Sequence, residues 1–208
     1  VLPDWVFTVF EPTIWWLTVA IFILLGFYIR KKRQENESAS DFLKGIGGFT
    51  FLFGIARALE NIRRYMISES PSDILDGWIG NAPIISGANM VFRIGYYAVS
   101  WTGISMFYYI SEKNVFRQKY YFTTAAILEG VFSILMYFAF PDVAMHVLLT
   151  LSSIGFLFAA VIPVLLYLKL GYKNPGSLGR ASYLTGIGLA LFAFGVMSDL
   201  PQSAYVVY

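Results

Sequence analysis

Long apolar stretches constrain the fold of this 208-residue chain more than any other feature of its sequence. The first reads IWWLTVAIFILLGFY and ends abruptly at the basic run RKKR, residues 30–33. A helix needs about 20 apolar residues to cross the hydrocarbon core of a bilayer. Because 57% of the residues are hydrophobic and only 13% are charged, the chain cannot present enough polar surface to water. The sequence therefore predicts an all-α integral membrane protein.

Six stretches have this length with loop chemistry at both ends, and they predict one polytopic helix bundle over residues 1–208. The predicted spans are residues 12–29, 42–66, 89–110, 121–140, 143–168 and 181–197. The tail after Asp199 is apolar enough to begin a seventh span, so a seven-helix module without its last span is the alternative. Between spans two and three, the segment SPSDILDGWI has the pattern of a helix start, and we expect a short interfacial helix at residues 70–79.

The distribution of basic residues predicts the orientation of the spans. Cytoplasmic loops keep an excess of lysine and arginine close to span ends. Every lysine lies in or beside loops one, three and five, whereas acidic residues such as Glu11, Glu69 and Asp142 predominate on the other side. We expect a multi-pass protein whose amino terminus lies outside and whose lysine-rich loops are cytoplasmic.

The composition argues against several classes of function. Without cysteine, and with His146 as the one histidine, the chain cannot form thiolate metal sites or bind haem through paired histidines. We find no Ser-His-Asp set, paired catalytic carboxylates or phosphate-binding glycine loop, and we predict no catalytic residue, metal or cofactor. A net charge of +2, with basic residues spread over short loops, predicts no nucleic-acid partner. The sequence contains no motif that identifies a known family.

Ionisable residues within the predicted spans are the most informative about function. Each costs about 2.5–3.5 kcal/mol at the centre of a span and therefore needs a partner or water. On the second span, Arg57, Glu60, Asn61 and Arg64 recur at steps of three and four residues along one face. This spacing lets Glu60 reach Arg57 or Arg64. Arg93 enters the third span from the same side of the membrane.

Glu129 lies near the middle of the fourth span and is the only carboxylate at that depth. An arginine from the second or third span would keep it ionised, whereas an apolar surround would leave it protonated at neutral pH. The topology gathers seven candidate ligand-binding residues towards the outer half of the bundle: Arg57, Glu60, Arg64, Arg93, Glu129, His146 and Asp199.

Two interpretations of this cluster are open. In the structural one, ion pairs and hydrogen bonds join spans two, three and four. In the functional one, the charged residues line an outward-facing polar cavity of a receptor- or sensor-like module that binds a small polar or anionic ligand. Transport of a small solute, ion or proton, and a role as a structural or accessory subunit of a larger membrane complex, are the alternatives. The expected partners are the lipid bilayer, such a ligand, and a second copy or other membrane subunits.

Overall fold

The computed structural model describes residues 9–35, 40–67, 87–117, 119–139, 161–174 and 176–198. Of these residues 96% are helical and none lies in a strand, so the fold class is all-α. The helices are α1 (Glu11–Glu35), α2 (Ser40–Ile62), α3 (Gly87–Ser111), α4 (Tyr121–Ala139), α5 (described over 161–173) and α6 (Ser177–Ser198). Short π-helical turns continue α2 over Arg63–Ile67 and α3 over Glu112–Phe116.

The chain forms two compact units. The first comprises residues 1–77 and 82–141 and contains α1 to α4, and the second comprises residues 78–81 and 142–208 and contains α5 and α6. Within the first unit, α2 packs against both α1 and α3, and α4 packs against α3. A single domain over residues 1–208 stays a prediction.

Glycines allow the close packing of α2 between its two neighbours. The helix runs without a break through Gly45, Gly47 and Gly48. A Cβ on Gly45 would lie 2.7 Å from the Cβ of Ile110 on α3, and one on Gly47 would lie 3.1 Å from Cγ2 of Ile29 on α1. Larger side chains at these positions would force the helices apart, which explains why small residues occur at the start of the second predicted span.

Aromatic rings fill the interfaces that α2 makes with α1 and α3. The Phe53 ring lies 5.2 Å from the Phe22 ring of α1, and the Phe49 ring lies 5.7 Å from the Phe107 ring of α3, measured between centroids. Such tilted pairs contribute about 0.5–1.5 kcal/mol each beyond the burial of their area. The apolar half of α2 is therefore held from both sides.

A buried carboxylate connects the end of α3 to the start of α4. Glu112 is 0% exposed, and its Oε1 accepts the backbone N–H of Phe122 at 2.8 Å. Its Oε2 accepts the backbone N–H of Thr123 at 3.0 Å and the hydroxyl of Thr123 at 2.6 Å. The first N–H groups of a helix have no intrahelical partner, so Glu112 caps α4 from the preceding helix. The left-handed Arg117, with φ of 50°, ends the π-helical turn between them.

In the second unit, α5 and α6 pack closely where glycines permit it. A Cβ on Gly171 would lie 2.9 Å from the ring of Tyr183, and one on Gly179 would overlap the carbonyl oxygen of Asn174. The connection uses Gly176 at φ of +94°, a conformation that residues with a Cβ rarely adopt. These contacts form a tight antiparallel helix pair.

Replacing Gly130 tests the packing of α4 on α3. A Cβ at this position would lie 2.7 Å from the Cβ of Trp101, which cannot move without its backbone. We expect Gly130→Ala to lower the free energy of unfolding by about 1–3 kcal/mol, the usual cost of overpacking. Gly188→Ala is the matched control, because its Cβ would meet nothing within 4 Å. Thermal unfolding of both variants in detergent is the measurement, and equal melting temperatures would contradict this packing.

Two helices in the described ranges are long and apolar enough to cross a membrane, Glu11–Gln34 and Asp41–Ile67. A shorter apolar helix covers Tyr121–Leu135. Core helices of soluble proteins and signal sequences meet the same criterion, so two such helices do not confirm the predicted six-span bundle. The predicted interfacial helix at 70–79, the first part of the fifth predicted span and the tail after Asp199 lie outside the described residues.

Candidate functional site

A buried carboxylate on α2 forms the centre of the charged region. Glu60 is 1% exposed. Arg63 donates from Nε to Oε2 at 2.9 Å and from Nη2 to Oε1 at 2.8 Å. Arg64 donates from Nε to Oε1 at 3.0 Å, and Arg93 of α3 donates from Nη1 to the same oxygen at 2.7 Å. These four residues, the Glu60 cluster, place three guanidinium groups around one carboxylate, which offsets the cost of burying its charge.

The cluster follows from the local geometry of α2 and from its packing on α3. Residues three and four positions apart lie on the same helix face, so Arg63 and Arg64 both reach back to Glu60. Arg93 belongs to the second turn of α3 and approaches from the neighbouring helix. The sequence spacing let Glu60 reach either Arg57 or Arg64, and the structure pairs it with Arg64. The bond from Arg93 ties the end of α2 to the start of α3.

Arg57 contacts an aromatic ring of α1 one turn before Glu60. Its guanidinium carbon lies 3.8 Å from the centroid of the Trp15 ring, and the side chain is buried. A desolvated cation–π contact of this kind contributes about 2 kcal/mol. Arg57 therefore joins α2 to α1, whereas Arg93 joins α2 to α3.

A second contact ties the start of α1 to the end of α2. The hydroxyl of Tyr65 donates to Oε1 of Glu11 at 3.0 Å, and Nη1 of Arg64 lies 3.8 Å from the same oxygen. Glu11 lies in the first turn of α1, where a negative charge also interacts favourably with the helix dipole. The start of α1, the end of α2 and the start of α3 thus meet in one polar region.

Asn61 is a buried polar residue of the same region. It is 1% exposed, and its Nδ2 makes no hydrogen bond within the part of the chain that the structure describes. A buried amide donor without an acceptor costs about 1–3 kcal/mol. Asn61 directly follows Glu60 on α2 and lies on the helix face that also carries Arg57 and Arg64.

The structure places Glu129 away from this region. Its neighbour Gly130 packs on Trp101, which is eight residues, or about 12 Å along α3, from Arg93. Arg93 contacts Glu60 rather than Glu129. In the described ranges the half-buried side chain of Glu129 makes no hydrogen bond or ion pair.

Of the seven residues singled out in the sequence, the structure brings together Arg57, Glu60, Arg64 and Arg93. His146 and Asp199 lie outside the described residues. This region also includes four residues that the sequence pattern did not mark: Arg63, Glu11, Tyr65 and Trp15. Two signals could have found them: the three-residue spacing from Glu60 to Arg63, and the antiparallel packing that brings the start of span one to the end of span two.

The donors of this region suit recognition of oxygen acceptors. Guanidinium and amide N–H groups bind carboxylate, phosphate and sulfate oxygens, and burial strengthens such bonds. Among the residues that the structure describes, no group of three or more His, Asp or Glu side chains could hold a metal ion. The guanidinium and amide groups of this region can bind such oxygens through hydrogen bonds and charge.

Comparison of the chain with known protein families, with curated proteins and with solved structures gives no match.

Proposed function

We propose that this protein is a multi-pass integral membrane protein with six spans. The support is the apolar surface that its helices expose. On α1 the exposed large hydrophobic side chains are Ile14, Leu17, Ile21, Leu24, Leu25, Phe27 and Tyr28. On α4 they are Tyr121, Ile127, Leu128, Val131, Phe132, Leu135 and Phe138. Continuous apolar faces of this size have to be shielded from water, and the acyl chains of lipids can shield them without a partner protein.

The orientation that we propose has the amino terminus outside and the lysine-rich loops in the cytoplasm. Lys31, Lys32 and Lys44 flank the connection from α1 to α2, and Lys113 and Lys119 flank the connection from α3 to α4. The positive-inside rule assigns both connections to the cytoplasm. The Glu60 cluster then lies in the outer half of the membrane.

Within this topology the protein acts as a receptor- or sensor-like module that binds a small polar or anionic ligand beside the Glu60 cluster. The observation that carries this proposal is the buried Nδ2 of Asn61, which has no acceptor in the described residues. A carboxylate, phosphate or sulfate oxygen of a ligand would accept its hydrogen bond. Because the contacts of Arg57, Glu60 and Glu11 tie α1, α2 and α3 together at this end, a ligand here would bias the packing of all three helices.

Asn61→Leu separates a ligand-binding role from a structural one. If the amide is kept for a ligand, the variant loses a copurifying adduct, while its melting temperature equals or exceeds that of the adduct-free wild type because an unpaired buried donor costs about 1–3 kcal/mol. The measurement is native mass spectrometry of the chain extracted gently from its own membrane, with thermal unfolding of the same sample. Asn114→Leu, at an exposed asparagine on the opposite end of α3, is the control and should keep the adduct. A lower melting temperature with an unchanged mass would overturn the proposal.

A structural or accessory subunit is the second candidate function, and the Glu60 cluster itself favours it. One carboxylate oxygen, Oε1, accepts bonds from three guanidinium groups, which is sufficient to join helices without any ligand. A stable assembly with different membrane proteins and no adduct in the same mass spectra would support this role over the receptor.

Transport is the third candidate, because Glu129 is a half-buried carboxylate near the middle of a predicted span with no ion-pair partner in the described ranges. Flux of an ion or small solute into liposomes that contain the purified protein would favour transport over both other functions.

A further inference from the structure

A cavity of about 220 Å³ lies between α1 and α2 at the lysine-rich end of the first unit. Its walls are apolar and include Phe27 of α1, Phe51 of α2 and Met106 of α3. The Sδ of Met106 packs against Gly48, where a Cβ would lie 2.5 Å from the sulfur. The glycine lets Met106 of α3 approach α2 closely, and Met106 lines the cavity beside residues of the other two helices.

Basic side chains form the rim of this cavity. Arg30 and Arg33 reach it from α1, and Lys44 reaches it from α2. Arg30 and Lys44 are exposed, and in the described ranges neither makes a salt bridge. Asp41, one turn before Lys44, is also exposed but does not line the cavity. The rim is therefore positive, while the interior is apolar.

The position of the rim along the helices matches the level of lipid phosphates. Arg30 follows the apolar stretch of α1 directly, and Lys44 comes just before the apolar stretch of α2. Both side chains therefore lie at the boundary between the hydrocarbon core and the polar headgroups. A soluble anion would need only the basic rim, whereas a phospholipid would use the rim for its phosphate and the apolar walls for its chain.

We propose that this cavity binds one anionic phospholipid of the cytoplasmic leaflet. Its phosphate contacts Arg30, Arg33 and Lys44, and the first part of an acyl chain packs against Phe51 and Met106. Basic pockets between membrane helices on the cytoplasmic side recognise such headgroups. This inference rests on the proposed membrane topology, and it is independent of a ligand at the Glu60 cluster.

Native mass spectrometry of the full chain in detergent tests this site with palmitoyl-oleoyl phosphatidylglycerol, the matching phosphatidylcholine and inorganic phosphate as separate probes. We expect tight binding of one phosphatidylglycerol, with at least a tenfold preference over phosphatidylcholine. The double variant Arg30→Gln with Lys44→Gln should weaken phosphatidylglycerol binding roughly 25-fold, because each basic side chain near the surface contributes roughly fivefold. Lys113→Gln with Lys119→Gln removes the same charge from another loop on the same side and should change binding less than twofold.

Three outcomes would overturn the lipid site. The first is equal affinity for the two lipids. The second is an equal loss in both double variants, which would indicate general surface charge. The third is displacement of the bound lipid by inorganic phosphate, which would indicate a site for a soluble anion. Carbonate extraction of the membranes tests separately whether the protein is integral to the membrane, and any adduct that depends on Asn61 should persist in the Arg30 and Lys44 double variant.

Discussion

Glu60→Leu is expected to lower the free energy of unfolding by about 3–5 kcal/mol, the usual result of removing one partner from a buried ion pair. The substitution would leave Arg63, Arg64 and Arg93 without the carboxylate that they share. Leucine fills a similar volume, so the loss would come from the uncompensated charges rather than from a cavity. Glu60→Gln keeps one oxygen acceptor and should have an intermediate effect.

Glu129→Leu is the matched control. It also removes a carboxylate from a helix of the first unit, but the Glu129 carboxylate makes no ion pair in the described ranges. We expect little loss of stability there. Thermal unfolding followed by circular dichroism in detergent compares the two variants. Arg93→Met should destabilise the Glu60→Leu variant much less than it destabilises the wild type, since the stability effects of substitutions at interacting residues are not additive. Equal losses for Glu60→Leu and Glu129→Leu would contradict the central role of Glu60.

Hydrophobicity predicted where the first two helices lie, but it did not predict where α1 ends. The first predicted span covers residues 12–29, whereas α1 continues to Glu35 through the basic run. Charged side chains end the part of a helix that lipid can surround, yet lysine and arginine are good helix formers. The second predicted span, residues 42–66, ends one residue before Ile67, but an apolar pattern does not show that Arg63–Ile67 is π-helical.

The candidate site was predictable only where its contacts are local. The four-residue step from Glu60 to Arg64 is visible in the sequence, because side chains at that spacing share a helix face. The bond from Arg93 depends on how α3 is shifted along α2, and the contact of Arg57 with Trp15 depends on the packing of α1. Neither the shift of α3 nor the packing of α1 follows from composition or periodicity, so these two contacts could be identified only from the structure.

Glu112, at the lysine-rich end, also makes contacts that the sequence could not predict. In the sequence it is an acidic residue beside a basic loop, and nothing marks it as buried. In the structure its carboxylate caps α4 from ten residues earlier in the chain. A glutamate at such a position can be an exposed loop residue or a buried helix cap, and only the position of the next helix distinguishes the two.

Glu112→Gln is expected to lower the free energy of unfolding by about 2–4 kcal/mol, because hydrogen bonds to a charged group contribute about 1.5–3 kcal/mol each. Glutamine keeps one oxygen, but its amide nitrogen would face the N–H donors of Phe122 or Thr123. The destabilisation should also be confined to the start of α4. We expect faster hydrogen exchange at the amides of Phe122 and Thr123, measured by mass spectrometry of peptides from the start of α4.

Asp41→Asn provides the control, because Asp41 is also an acidic residue in the first turn of a helix but is exposed. Its interaction with the helix dipole contributes about 0.3–1 kcal/mol, so its loss should be small. If both variants lost the same stability, the effect of Glu112 would come from the helix dipole alone. A larger loss for Glu112→Gln, with faster exchange confined to the start of α4, would establish the buried carboxylate as the joint between α3 and α4.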